Sequence, residues 1–429
     1  MSETQLPSHW QVVKLGSVFK FTQKPRGLRY SDFEQVPFVP MELIPNDKLF
    51  FTQFISKGHQ ELTSGTYFEP GDFLLSKITP SFENGKQGII ELLPTPFGIA
   101  TTEVIPIKEL VNVSNKEFLA YYLLRQSIRF ELAQKMEGST GRQRLSKSIL
   151  EKLEIPFPPL TEQRALAHTL RTIQKAKEAR QRELELERER KAALMQYLFT
   201  YGTCHESTKQ TEIGEIPESW QVVKLGELCL NKLGIIQTGP FGSQLHASDY
   251  QPAGIPVVNP THLGFNFIVD NNIPYISREK ADSISKHYLI EGDILISRRG
   301  DFSRYSYVKK KYAGWFCGTG CLLIRLNNPQ VDNYFLSILI STAFSQNYLK
   351  QNSVGSIMPN LNTQILQALP LILPEITEQR EIANIIHACD RKIQALEKEI
   401  STIDELFRAM LSELMNGRLS TQPLIEQEN

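Results

Sequence analysis

The chain has 429 residues, of which 41% are apolar, 9% aromatic and 22% charged. That length suggests about two to four domains, and the apolar content excludes wholesale disorder. Lysine and arginine total 47 against 47 aspartate and glutamate, so any basic surface must be local and offset by an acidic one elsewhere. The five cysteines (Cys204, Cys229, Cys317, Cys321 and Cys389) are scattered, and Cys317 and Cys321 lack zinc-ribbon spacing. A disulfide framework or structural zinc site is not expected. The opening MSETQLPSHW has no apolar signal region, and no apolar run approaches the ~20 residues that span a bilayer. The expectation is a soluble, cytoplasmic protein with no membrane contact.

In chain order, residues 1–160 are rich in Gly, Pro and aromatic residues. They hold short apolar runs such as FLLS (73–76), bounded by Pro70-Gly71-Asp72 and reading as strands. The stretch EFLAYYLLRQSIRFELAQK (117–135) has helical spacing instead. Residues 161–201 are nearly free of Gly and Pro and read as one long helix. Thr161 is the candidate N-cap, Glu162 suits the dipole and Gly202 is the stop. The polar stretch 202–216 reads as a linker.

The pattern then repeats. WQVVKLG stands at 10–16 and again at 220–226, TEQR at 161–164 and 377–380, and EPGDFLLSK (69–77) matches IEGDILISR (290–298). This is a tandem duplication of about 200 residues, too long for a solenoid repeat. Residues 211–374 form the second mixed domain, 375–418 the second long helix, and 419–429 a flexible tail. The fold class is α+β: two mixed domains separated by two long helices, about 40 residues or roughly 60 Å each.

The second helix carries a heptad. Ile382, Ile386, Cys389, Ile393, Leu396, Ile400, Ile403, Phe407, Met410 and Leu414 are all apolar. The matching positions of the first helix are Leu166, Leu170, Ile173, Lys177, Arg180, Leu184, Glu187, Lys191, Leu194 and Leu198, with apolar ends and a charged middle. The expectation is an antiparallel, coiled-coil-like pair. In its middle, the seam either shifts toward Ala176 and Ala179 or is covered by Lys and Arg stems. The alternative is two unrelated helices, each packed on its own domain.

No P-loop, G-x-G-x-x-G after a strand, H-E-x-x-H or G-x-S-x-G is present. Asn-Pro at 259–260 and 328–329 lacks aromatic context. Glu189-Arg-Lys191 and Asp390-Arg-Lys392 fall inside the long helices, where solvated charge is the simpler reading. Neither a catalytic nor a metal-ligating constellation emerges.

Local basic clusters do. RRGDFSRYSYVKKK (298–311) carries Arg298, Arg299, Arg304, Lys309, Lys310 and Lys311 with interleaved aromatics. Guanidinium groups pair with guanine edges and lysines neutralise phosphates. In the first copy, the segment after the strand has only Lys77 and Lys86, and GSTGRQRLSK (138–147) adds Arg142, Gln143, Arg144 and Lys147. Its counterpart GSIMPNLNTQ (355–364) offers Ser356, Asn360, Asn362 and Gln364, amides and hydroxyls suited to adenine. The bland alternative for each cluster is a solvated loop.

These features, with GPFGSQL (239–245) and PPLTEQR and PEITEQR opening the long helices, resemble the specificity subunit of type I restriction-modification systems. The resemblance spans most of the chain. It implies two target-recognition domains, each reading half of a split, asymmetric DNA site, and antiparallel helices acting as a ruler for the gap. It also implies no catalysis and no cofactor in this chain. Two modification subunits would bring S-adenosylmethionine, and two restriction subunits ATP and magnesium. The rivals are a duplicated nuclease or methyltransferase, and a coiled-coil scaffold that binds no DNA.

Overall fold

The runs FLLS and ILIS become strands Phe73–Ser76 and Ile294–Ser297, buried at every residue. Such strands are apolar throughout because both sheet faces are covered. They are interior strands of two sheets built alike in a computed structural model that describes residues 6–139, 141–355 and 359–419. The chain divides into unit one, Met1–Glu185 with Ala395–Asn429, and unit two, Leu186–Gln394.

In unit one the antiparallel order is Phe19–Phe21, Val104–Glu109, Phe73–Ser76, Gln87–Ile89. In unit two it is Gly234–Thr238, Cys321–Leu326, Ile294–Ser297, Tyr305–Tyr307. Each unit has a second four-stranded sheet with one parallel contact, Val39 against Ala100 in unit one and Val258 against Cys317 in unit two. The duplication therefore extends to the strand order of the first sheet and to this parallel contact, while the second sheet takes its fourth strand at different ends, Thr66–Phe68 beside Gly98–Ala100 in unit one and Tyr250–Gln251 beside Tyr275–Ile276 in unit two.

WQVVKLG supplies an edge strand in both units. Gln11–Lys14 pairs antiparallel with Glu154–Phe157, and Gln221–Lys224 with Pro370–Leu373, just before the long helices. The preceding tryptophans are buried, and each indole nitrogen donates to a glutamate in the first turn of a long helix. Trp10 Nε1 reaches Glu162 Oε2 at 3.0 Å, and Trp220 Nε1 reaches Glu378 Oε2 at 2.8 Å. The next residue, Gln163 or Gln379, is wholly buried. Gln163 Oε1 accepts from Asn115 N at 2.8 Å and its amide donates to Pro158 O; Gln379 Oε1 accepts from Asp332 N at 2.9 Å and its amide donates to Pro374 O and Gln330 O. Asn115 and Asp332 in turn cap helices Lys116–Leu124 and Asn333–Ser341.

The long helices span Leu160–Tyr201 and Ile376–Met415. Thr161 and Thr377 thus lie inside the first turn rather than at the cap. In unit one the start of the first helix packs antiparallel on the end of the second. Leu166 and Leu170 share a core with Leu411, Leu414 and Met415, and Lys177 pairs with Asp404. In unit two Leu198 shares a core with Ile382 and Ile386, and Lys191 pairs with Asp390 at 2.5 Å. Leu184, Leu396 and Cys389 are also buried. Ile173, Leu194, Ile393, Ile400, Ile403, Phe407 and Met410 are half-buried.

Two expectations change. Ala176 and Ala179 are exposed, so the seam does not shift. Its charged positions remain and are matched across the pair, as in Arg180 with Glu399 at 3.0 Å. The segment read as a linker holds a hairpin, Thr208–Thr211 with Gly214–Pro217, because Ile216 is anchored in the core of unit two. Most of the tail, residues 420–429, lies outside the described residues.

Replacing Gln379 with Ala leaves three backbone groups, Asp332 N, Pro374 O and Gln330 O, without their side-chain partner. The expected cost is about 1–3 kcal/mol, read as an earlier urea midpoint with unchanged slope; an unshifted midpoint would remove this residue from the joint.

Candidate nucleic-acid interface

Gly71-Asp72 and Gly292-Asp293 turn the chain into the buried strands. Each aspartate accepts a backbone N–H three residues earlier, Asp72 from Glu69 and Asp293 from Ile290, both at 2.8 Å. Asp293 also takes Arg325 bidentately, with both contacts at 2.7 Å. In unit one Lys108 holds that register position and pairs with Glu69 instead. Burial pushes Asp72 up to about 6, against the opposing Glu69 N–H and Lys108 charge.

At the far end of each strand, two of the polar loops come together. In unit one Leu145 N donates to Lys77 O (2.7 Å), Thr79 N to Gln143 O (3.0 Å) and Lys77 N to Glu103 O (2.9 Å), while Glu137 and Arg144 bond reciprocally. In unit two Leu361 N donates to Arg298 O (2.9 Å), Gly300 N to Pro359 O (3.1 Å) and Arg298 N to Gly320 O (2.9 Å), while Val354 and Asn360 bond reciprocally. The bonds match one for one. Buried Leu145 and Leu361 anchor the second loop of each pair, and Ser146 and Asn362 cap the short helices that follow. Each unit therefore carries the same backbone cradle, in which Lys77 corresponds to Arg298, Arg144 to Asn360 and Glu103 to Gly320.

The side chains differ. Arg144 is held by three hydrogen bonds to Glu103 at 2.7–3.1 Å, which depresses the Glu103 carboxyl. Unit two has Gly320 at the place of Glu103, and Asn360 Oδ1 is buried with no partner among the described residues. Among the described residues Arg298 and Arg299 make no side-chain hydrogen bond or ion pair, and the Arg298 guanidinium lies over the Phe241 ring, 5.6 Å from its centroid.

Several expected contacts are otherwise engaged. Lys86 Nζ donates to Met41 O at 2.7 Å. Lys147 pairs with Glu151 and lies over Phe21. Arg304 is 3.6 Å from Asp301. Asn362 uses its side-chain oxygen as a cap. Arg142 is exposed, Gln143 and Lys77 are half-exposed, and Ser356 lies outside the described residues.

The run 298–311 is not one cluster. Tyr305–Tyr307 pairs antiparallel with Ile294–Ser297 and carries the chain back. Lys309, Lys310 and Lys311 therefore sit beyond the opposite strand end from Arg298, roughly 20 Å away at the usual rise per residue. Lys311 is 3.4 Å from Asp270.

Sequence reasoning missed Phe241 as a neighbour of Arg298, and Glu103 as the partner of Arg144. Each pairing joins segments far apart in the chain, which leaves no local signal. Among the described residues no His, Cys, Asp and Glu cluster could hold a metal, and no helix is long and apolar enough to cross a membrane.

A family model described as the type I restriction modification DNA specificity domain matches residues 7–188 and 217–405. The MjaVIII specificity subunit of Methanocaldococcus jannaschii is 24% identical, over 99% of this chain and 96% of its own. The EcoAI specificity subunit of Escherichia coli is 28% identical, over 52% of this chain and 35% of its own. The crystal structure of an S subunit from M. genitalium superposes with a TM-score of 0.60 at 17% identity, covering 96% of this chain and 97% of that one.

The raised Asp72 carboxyl makes unit one lose stability as pH rises. Between the ordinary carboxylate range and about 6, the folded state holds more protons than the unfolded one, so the neutral form is favoured and ionisation costs up to about 3 kcal/mol. Asp72→Asn keeps the acceptor for Glu69 N–H. Its stability advantage over the parent should therefore grow from pH 4 to pH 7 in urea titrations; parallel pH curves would refute this.

Proposed function

This chain belongs to the type I restriction-modification DNA specificity family, and from that premise we propose that its two units each read one half of a bipartite, asymmetric DNA site. The observation that carries the reading is the duplicated cradle, one backbone arrangement presenting two different sets of side chains. Two different short sequences demand that, since base edges are told apart by side-chain donors and acceptors while a shared scaffold sets the approach. Unit two offers Arg298 and Arg299, suited to guanine edges, with Asn360 beside them. Unit one offers Lys77, Arg142 and Gln143, with Arg144 tied to Glu103. Lys310 and other outlying cations serve phosphates and register.

In this reading the long helices set the number of base pairs between the half-sites. The chain performs no bond-making step, and methyl transfer from S-adenosylmethionine and ATP- and magnesium-dependent translocation and cleavage belong to two modification and two restriction subunits. The long helices leave Leu186, Tyr197, Ile385 and Leu406 exposed, apolar groups suited to docking such partners. The place of work is the cytoplasm, where the chromosome is accessible.

The test is co-expression with the modification subunit of the same system, followed by sequencing of methylated bases in the host genome. One bipartite motif is expected, with one half replaced when residues 1–160 are exchanged for those of another family member. With both proteins soluble and associated, an absence of methylation would favour the scaffold reading.

Replacing Arg298 and Arg299 with Ala should relax the half-site of unit two alone, by about 1–3 kcal/mol per lost base contact, read from oligonucleotide binding by the complex. Equal loss on specific and random DNA would reduce both to phosphate contacts.

A further inference from the structure

The loop GPFGSQL holds an aromatic ring against the cradle of unit two. Gly239 N donates to Cys321 O at 2.8 Å, and a Cβ on Gly239 would stand 1.9 Å from Gly318 O. The loop therefore lies flat on the strand end, as only glycine allows. At its other end Leu245 is buried with Val257, Ile276 and Phe316. Between these anchors the chain makes one tight turn. Gln244 N and Leu245 N donate to Phe241 O, and Gln244 Oε1 accepts from Phe241 N. Phe241 is thus fixed in backbone yet 52% exposed.

What it touches is Arg298. The Arg298 backbone is held by Gly320 O and Leu361 N, and the next two residues by Ser297 Oγ and Pro359 O. The guanidinium rests over the ring with Nε buried and without a partner among the described residues. With Nε covered, the two terminal nitrogens are the donors left to present. That end-on fork fits the O6 and N7 acceptors of guanine.

The duplication supplies an internal contrast. Phe21 and Ile236 occupy the same sheet position, opposite Ile107 and Ile324. Counted on without a gap, Pro25-Arg26-Gly27 aligns with Pro240-Phe241-Gly242 of unit two, and Lys77 stands where unit two has Arg298. Unit one has a cation in place of the ring and no planar fork to stack on it.

We propose that Phe241 is a positioning residue: its ring holds the Arg298 guanidinium for end-on, bidentate contact with a guanine in the half-site read by unit two. This rests on the DNA-reading function proposed above.

The experiment uses the full chain with its modification subunit, reading the methylated motif in the host genome and binding to duplexes varied one base pair at a time. Arg298→Ala marks the position concerned by relaxing one guanine. Phe241→Ala and Phe241→Leu should relax that same guanine about two- to fivefold, the worth of a cation–π contact. Phe241→Tyr should keep the preference, and the other half-site and the melting temperature should not change. A Phe241→Leu complex as selective as the parent would overturn the proposal, since apolar bulk alone would then suffice. Equal weakening on all sequences would also overturn it, by making the ring a direct DNA contact. A parent complex that marks no bipartite site would overturn the DNA-reading function itself, and this inference with it.

Discussion

The bond from a buried tryptophan indole to a first-turn glutamate is the constraint on which each unit is organised. Trp10 with Glu162 and Trp220 with Glu378 join the start of a recognition domain to the start of the helix that leaves it. Gln163 and Gln379 complete the joint by satisfying the cap of a domain helix and the carbonyls of the exit loop. A hydrogen bond to a carboxylate is stronger than one between neutral groups, and pulling the helix away would leave several buried partners unmet. Domain and helix start therefore form one rigid piece within each unit. This is why WQVVKLG and TEQR recur as a set, although about 150 residues separate them in each copy.

On that rigid piece, the two copies keep their backbone bonds and exchange their side chains. The cradle is closed by N–H and C=O groups, which any residue supplies, so Lys77 can become Arg298 and Arg144 can become Asn360 without reshaping it. The neutralising groups diverge with the charges. Glu103 ties down Arg144, whereas Gly320 leaves space where Asn360 sits. The two units thus differ both in which donors they carry and in which donors are free, and a reader of two unlike half-sites requires both.

Much of this was legible in the sequence, for reasons that can be named. The repeat, the strands FLLS and ILIS, and the long helices follow from identity and periodicity, which are local. The four polar loops could be found by composition, but not their pairing, because Leu145 meets Lys77 and Leu361 meets Arg298 only after the sheet has formed. The basic run 298–311 misled because Tyr305–Tyr307 reads as polar–aromatic alternation within a cluster, whereas its backbone pairs back on Ile294–Ser297 and parts the arginines from the lysines. Glu162 and Glu378 looked like dipole complements, and their indole partners lie too far away in the chain to be inferred from spacing.

The charged middle of the first long helix has a physical use that an unbroken apolar seam lacks. A regular heptad can slide by one repeat with little change in buried area, and that slip moves one helix about 10 Å along the other, about three base pairs of DNA. The spacing role proposed above is incompatible with such slippage. Of the pairs Lys177 with Asp404 and Arg180 with Glu399 in unit one, and Lys191 with Asp390 in unit two, a slip of one heptad in either direction breaks two, because only Glu397 offers a replacement carboxylate. For the half-buried pairs of Lys177 and Lys191, a charge without its partner is costly, whereas the paired state adds little over an apolar contact; the exposed pair of Arg180 adds less. The ion pairs therefore weigh less in total stability than in the choice among registers, the role that polar residues at core heptad positions play in coiled coils. An alanine seam through Ala176 and Ala179 would leave the register unspecified, and these residues face solvent instead.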